Sequence, residues 1–157
     1  MTAAVPVAPT LEFLARFDIE LAAPLDVGVT PAGERRVIGI AGGHFAGPHL
    51  RGVVLPGGAD WQVVLPDGTA VIDTRYTLRS AGGALISVAT QGFRHGPAEV
   101  VTRLRAGEEV DPGDYYFRVL VRFETADQSC AWLNRTLVIA SALRLPATVR
   151  YDAFAVR

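Results

Sequence analysis

The feature that most constrains the fold is an alternation of apolar and polar residues with a period of two. It is clearest over residues 11–21, LEFLARFDIEL. One face of this run carries the charged residues and the other the apolar residues Leu11, Phe13, Phe17, Ile19 and Leu21. Successive side chains of a β-strand point to opposite faces, so the run predicts a strand with one buried face.

Similar runs follow along most of the chain. They predict strands at residues 36–41, 49–55, 61–65, 70–79, 84–90, 115–124, 131–140 and 148–156. Between them stand hairpin signals such as PGGAD, PDG and SAGG. Only residues 97–106 have helical spacing, with Pro97 in the first turn and Gly107 after the last.

This pattern predicts an all-β fold, a single antiparallel β-barrel with one short helix near residues 97–106. A barrel is favoured over a sandwich because closure removes the exposed strand edges. At 157 residues the chain suits one domain. We expect residues 1–10 to form a flexible N-terminal arm and residues 11–157 to form the barrel domain.

The glycine-rich stretch GGHFAGPHLRGVVLPGGADW, residues 42–61, invites comparison with a phosphate-binding loop. It lacks the GK[ST] ending of such a loop, and another strand follows it where a helix is required. The glycines are therefore predicted to serve bulges and turns of a curved sheet.

Composition excludes several chemistries. All fifteen cationic residues are arginine, so no lysine is present for a Schiff base. Cys130 is the only cysteine, which excludes an intrachain disulfide. The three histidines, His44, His49 and His95, have no carboxylate at a metal-ligand spacing. We therefore predict no metal site and no cofactor that requires attachment to a lysine.

Charge and the N-terminus bear on partners and location. The formal net charge is −1 without a basic block, which predicts no binding to nucleic acid. MTAAVPVAPT lacks the basic and long apolar regions of a signal peptide. We expect a cytoplasmic protein that does not associate with membranes.

Polar residues within mainly apolar strand faces are the candidate site residues. Tyr76 and Asn134 are each the polar group of such a face, as expected of ligand-binding barrel interiors. Arg118 and Glu124 have the chemistry of an anion anchor and a general base. The sequence leaves open whether Asp73–Arg75 and Arg118–Glu124 are instead ion pairs on the outside of the barrel.

Several of these segments together resemble one family. GGHFAGPHLRGVVLPGGADW, DTRYTLRSAGGALI, GFRHGP, DYYFR, RFET and WLNRT occur in this order and resemble the bacterial family of unknown function DUF 3237, or UPF 0311. The resemblance extends from about Leu11 to the C-terminus. It implies a small antiparallel barrel, similar to calycin or allene oxide cyclase barrels, with no prosthetic group.

The resemblance also implies candidate chemistry and residues. Some relatives in natural-product pathways are associated with cofactor-free ring closure. The polar and aromatic residues of the family motifs correspond here to Asp60, Trp61, Arg75, Tyr76, Tyr116, Arg118, Glu124, Trp132 and Asn134.

Three functions are compatible with these observations. The first is a cofactor-independent isomerase, cyclase or lyase acting on a small, partly apolar substrate. In that case Arg118 or Tyr76 would hold an oxygen and Glu124 or Asp60 would move a proton, with Trp61, Arg75, Tyr116, Trp132 and Asn134 binding the substrate. The others are a small-ligand carrier and an interaction module with a filled barrel. An exposed edge or apolar face could support a homodimer.

Overall fold

The computed structural model describes all 157 residues and consists mainly of antiparallel β-structure. The ten strands are β1 Leu11–Leu21, β2 Leu25–Thr30, β3 Gly33–Ala46, β4 Arg51–Val54, β5 Ala59–Val64, β6 Ala70–Ser80, β7 Leu85–His95, β8 Tyr116–Glu124, β9 Val138–Arg144 and β10 Thr148–Val156. One α-helix, α1, spans Ala98–Arg105, and 3₁₀ segments span Pro112–Asp114 and Gln128–Arg135. No helix of the chain is long and apolar enough to cross a bilayer.

The sheet closes into an eight-position barrel, as the alternation predicts. Its order is β1-β10-β9-β8-β7-β6, and β1 also pairs with β3. The position between β6 and β3 is shared by two short strands, because β4 and β5 each pair with both neighbours. Strand β2 lies off this ring and pairs only with β3.

Strand β1 departs from the predicted alternation at one point. The pairing with β10 shifts register between Phe13 and Ala15, so the side chains before and after the bulge face opposite ways. Leu11 and Phe13 are therefore exposed, whereas Phe17 and Ile19 are buried. The prediction that all five apolar residues share one face is wrong for the first two.

The glycine-rich stretch belongs to the sheet, as predicted. Gly43 has a φ of +134°, and a Cβ there would lie 2.0 Å from the carbonyl oxygen of Asp18 on β1. Gly58 has a φ of +80°, and its Cβ would lie 2.1 Å from the carbonyl oxygen of Arg75. These glycines let neighbouring strands approach closely where the barrel curves.

The predicted helix is confirmed. Pro97 precedes its first residue, Val100 and Leu104 are buried on its inner face, and Gly107 follows with a φ of +80°. Residues 1–10 contain no regular structure and are exposed. Whether they form a flexible arm stays a prediction.

The prediction of a strand over residues 131–140 is wrong in its first half. Residues Gln128–Arg135 form a 3₁₀ segment, and the strand begins only at Val138. The carboxylate of Asp127 accepts a hydrogen bond from the backbone N–H of Ser129 at 2.9 Å and starts the segment. This local side-chain bond competes with strand formation.

Candidate functional site

One end of the barrel interior is filled by aromatic side chains. The ring of Phe17 stacks on Tyr151 at 4.6 Å, on Phe45 at 5.2 Å and on Phe123 at 6.2 Å, measured between ring centroids. Phe17, Phe45 and Phe123 are at most 2% exposed. This end is a packed core and offers no space to a ligand.

The other end of the interior encloses a cavity of about 50 Å³. Its walls are mostly apolar, formed by residues such as Ile19, Ile38, Ile72 and Val119. A single water requires roughly 10–15 Å³ by this kind of measure, so the space suits a few waters or a small organic group. The prediction of a filled barrel therefore applies to one end only.

Asp60 is the buried carboxylate of this cavity. It is 8% exposed and lies on β5 opposite Thr74 of β6. Its Oδ1 accepts from the backbone N–H of Asp73 and its Oδ2 from Nε2 of Gln62, each at 3.1 Å. Burial raises the pKa of the Asp60 carboxyl, although these hydrogen bonds act in the opposite direction. Asp60 therefore holds a proton more readily than an ordinary aspartate.

Two tyrosine hydroxyls meet within the cavity. Tyr76 on β6 and Tyr151 on β10 are hydrogen-bonded to each other through their hydroxyls. Both side chains are at most 5% exposed, and burial raises the pKa of both phenols. They remain neutral, and the hydroxyl that accepts in this bond can donate its own hydrogen to an oxygen of a bound molecule.

Gln62 carries an unpaired acceptor in the same place. Its Nε2 donates to Asp60, but its Oε1 has no hydrogen-bond partner. The side chain is only 1% exposed. A buried acceptor without a partner costs free energy, so this oxygen is suited to receive an N–H or O–H from a ligand or a bound water.

Three arginines surround the open end of the cavity, and we call this set the arginine mouth: Arg36, Arg94 and Arg144. Arg94 and Arg144 line the cavity from β7 and β9, and Arg36 lies on β3 opposite Gln62. None of the three lies within 4.0 Å of a carboxylate, unlike Arg16 or Arg150. Burial, followed by repulsion from Arg144 and Arg36, lowers the pKa of Arg94 to about 10.

The interior cavity is lined by two of the nine sequence-predicted site residues. Asp60 and Tyr76 both line the cavity. Arg118 and Glu124 are exposed on the outer face of β8, because Phe117, Val119, Val121 and Phe123 take the inner face. These two cannot contact a molecule in the interior, which favours the alternative that they lie on the outside of the barrel. Their roles as anchor and base stay a prediction.

Three of the predicted binding residues also lie outside the barrel. Trp61 is 41% exposed on β5, between the inward-facing Asp60 and Gln62. Arg75 is exposed on β6 next to the buried Tyr76. Tyr116 is 45% exposed and stacks on His95 at 4.8 Å. Strand alternation explains each of these outward positions.

Trp132 and Asn134 lie in the 3₁₀ segment and do not line the cavity. The Asn134 side chain holds Thr125 in place. Its Oδ1 accepts from the backbone N–H of Thr125 at 2.8 Å, and its Nδ2 donates to the carbonyl of Thr125 at 2.9 Å. The contacts of Asn134 are therefore structural.

The two hydrogen bonds between Asn134 and the Thr125 backbone can be tested by their effect on stability. We expect Asn134→Ala to lower the free energy of unfolding by about 1–2 kcal/mol, because two backbone hydrogen bonds are lost. Urea unfolding measures the change. The exposed neighbour Arg135 serves as the control, since Arg135→Ala is expected to change the value by less than about 0.5 kcal/mol. Equal effects of the two substitutions would contradict the assignment.

Sequence analysis missed Gln62, Arg94, Arg144 and Tyr151. Gln62 had a usable signal, because a residue two positions from Asp60 in one strand shares its face. Arg94 was not considered because the sequence QGFRHGP resembles a glycine-rich loop. In the structure β7 continues to His95, so Arg94 lies on a strand. Arg144 and Tyr151 gave no local signal, since only barrel closure brings them to Asp60.

Comparisons with known proteins agree with this fold. A family model described as protein of unknown function (DUF3237) matches residues 9–156. A UPF0311 protein of Bradyrhizobium diazoefficiens is 41% identical over 117 residues, covering 74% of this chain and 76% of that protein. A crystal structure of a β-barrel-like protein from Acinetobacter baumannii has a TM-score of 0.88 and 44% identity, covering 99% of this chain and 100% of that one.

A more distant structure shares the fold alone. It is described as an enzyme from Penicillium herquei, with a TM-score of 0.74 and 21% identity. The similarity covers 99% of this chain and 100% of that chain.

Proposed function

The chain belongs to the DUF3237 family of proteins of unknown function, and we propose that it is a small-molecule-binding barrel that catalyses proton transfer in its interior cavity. The reaction class is a cofactor-free isomerisation, cyclisation or elimination. The observation that carries the proposal is the buried Asp60, which has a raised pKa and lies in the same cavity as the hydroxyls of Tyr76 and Tyr151.

Asp60 would act as the general acid or base. A carboxyl group whose pKa is raised toward neutrality exchanges protons efficiently, and positioned acid–base catalysis typically contributes 10²–10⁴-fold in rate. In an isomerisation the carboxylate removes a proton from one substrate atom, and the resulting acid returns it to another. Atoms and charge then balance without a co-reactant.

The tyrosine pair would stabilise the charge that develops during this transfer. A hydroxyl donating to a carbonyl or enolate oxygen stabilises the anionic transition state, most strongly in a dry site. Tyr76 is buried in a mainly apolar cavity, which meets this condition. The Penicillium neighbour is called an enzyme, so this fold is compatible with catalysis.

Capture of a ligand tests the proposal. The purified protein is incubated with a small-molecule extract of a bacterium that encodes a family member, and native mass spectrometry identifies what it retains. The retained compound is then incubated with the protein in D₂O. We expect a new product, or deuterium at a carbon atom of the recovered compound.

Two outcomes would contradict parts of the proposal. A retained compound that returns unchanged and without deuterium would make the protein a carrier, the alternative function of such a cavity. Retention by a folded Ile72→Phe variant, whose larger side chain occupies the cavity, would show that the ligand binds outside the cavity.

A further inference from the structure

The arginine mouth has an excess of positive charge, because three arginines share one nearby carboxylate, that of Asp60, which lies beyond salt-bridge distance. Arg16, Arg103, Arg105, Arg150 and Arg157 each have a carboxylate partner within 4.0 Å, whereas Arg36, Arg94 and Arg144 have none. All three are partly buried, so solvent screens their mutual repulsion less than it would on an open surface. Arginines held together without a partner are suited to bind an anion.

The strand register explains why these arginines meet. Strands β5, β7 and β9 run in one direction around the barrel, and β3 runs against β5. Arg94 and Arg144 lie at the carboxyl ends of β7 and β9, and Arg36 lies near the amino end of β3. The three side chains therefore belong to one end of the barrel, although 108 positions separate Arg36 from Arg144.

Gln62 is an independent indication of a ligand at this end. The Oε1 atom of Gln62 is buried in the cavity without a hydrogen-bond partner. Gln62 lies opposite Arg36 in the pairing of β5 with β3. An acceptor placed beside an anion site selects a molecule that carries a hydroxyl or N–H near its anionic group. A simple anion would leave this buried oxygen unpaired, which is unfavourable.

The remaining lining determines the kind of anion. Apolar residues such as Ile38, Ile72 and Val149 form most of the wall, which suits a short hydrocarbon body. Asp60 borders the same space, so a dianion such as phosphate would meet more repulsion than a monoanion. The paired donors of a guanidinium also match the two oxygens of a carboxylate.

We propose that the cavity takes a short-chain hydroxycarboxylic acid, with its carboxylate on Arg94 and Arg144 and its hydroxyl on Oε1 of Gln62. Arg36 adds charge at the entrance. The volume of about 50 Å³ limits the enclosed part to a few carbon atoms. This inference rests on the proposed function, since it names the substrate class of the same cavity.

The test measures binding of four probes to the unmodified protein by calorimetry and by NMR shifts of interior residues. The probes are 3-hydroxybutyrate, its neutral amide, butyrate and inorganic phosphate. We expect 3-hydroxybutyrate to bind at least tenfold more tightly than the amide and severalfold more tightly than butyrate. This comparison needs no variant, so folding of a variant does not affect it.

Variants then assign the contacts. Arg94→Gln and Arg144→Gln are each expected to weaken 3-hydroxybutyrate binding at least tenfold, and Arg122→Gln on the outer face to leave it unchanged. Gln62→Met is expected to remove the preference over butyrate while butyrate binding stays the same. Thermal unfolding checks that each variant is folded.

Several results would overturn the inference. Equal binding of the acid and the amide would show that the site does not recognise a carboxylate. NMR shifts of interior residues would still show that the cavity binds a small molecule. If inorganic phosphate binds more tightly than 3-hydroxybutyrate, the proposed carboxylic acid is wrong and the ligand is a phosphate compound. If no probe binds but the captured compound of the preceding section does, this substrate class is wrong and the proposed function stands.

Discussion

Replacement of Asp60 by asparagine is expected to reduce turnover of the captured compound by about 10²-fold or more, with little change in its binding. The amide keeps the size and most contacts of the carboxylate, but it cannot take up and release a proton in the accessible pH range. General acid–base catalysis contributes about 10²–10⁴-fold, which sets the magnitude. Single-turnover kinetics with wild type and Asp60→Asn measures the effect.

Glu124→Gln is the informative comparison for this experiment. Glu124 is, with Asp60, one of the two bases predicted from sequence, but the structure places it on the outer face of β8. We expect its replacement to change turnover by less than about twofold. A large effect of Glu124→Gln together with a small effect of Asp60→Asn would identify Glu124 as the base and reject the interior site.

The Asp60→Asn variant is expected to fold. The backbone N–H of Asp73 keeps an acceptor, and rotation of the Gln62 amide brings its oxygen to face the new amide nitrogen. Because burial raises the pKa of Asp60 in the folded state, its ionisation opposes folding as the pH rises through that pKa. The variant lacks this cost, so we expect its stability relative to wild type to improve as the pH rises from below the ordinary aspartate pKa of about 4 through the raised pKa of Asp60.

Much of the fold could be predicted because the alternation of side chains in a half-buried strand is a local property. Residues 11–21 and 148–156 become strands with the predicted bounds. Local signals were insufficient where another interaction decides the backbone. Asp127 and Asn134 form side-chain bonds that turn residues 128–135 into a 3₁₀ segment, and β2 was missed because LDVGVT contains a central glycine.

The candidate site could be predicted only in part, since alternation says which residues share a face but not which face is inside. The sequence places Tyr76 among apolar neighbours, and it lines the cavity. For Arg118 and Glu124 the sequence leaves the inside and the outside of the barrel open. The arginine mouth depends on closure of the sheet. No local pattern relates Arg36, Arg94 and Arg144, which come from three strands.

Phe17 and Phe13 allow the largest stability difference to be tested within one strand. The alternation assigns both to the buried face, but the bulge after Phe13 separates them. Phe17 is fully buried and stacks on three aromatic rings. We expect Phe17→Ala to lower the free energy of unfolding by about 3–5 kcal/mol, because the substitution removes buried contacts and leaves a cavity.

Phe13→Ala is the matched control, with the same chemical change four positions away. Phe13 is 40% exposed and has one edge contact with Phe154 at 5.9 Å, so we expect a loss of about 1 kcal/mol. Urea unfolding of both variants measures the difference. Against a typical domain stability of about 5–15 kcal/mol, only the Phe17 variant should approach unfolding at ambient temperature. Equal losses would mean that no bulge separates the two side chains and that the aromatic end of the barrel is built differently.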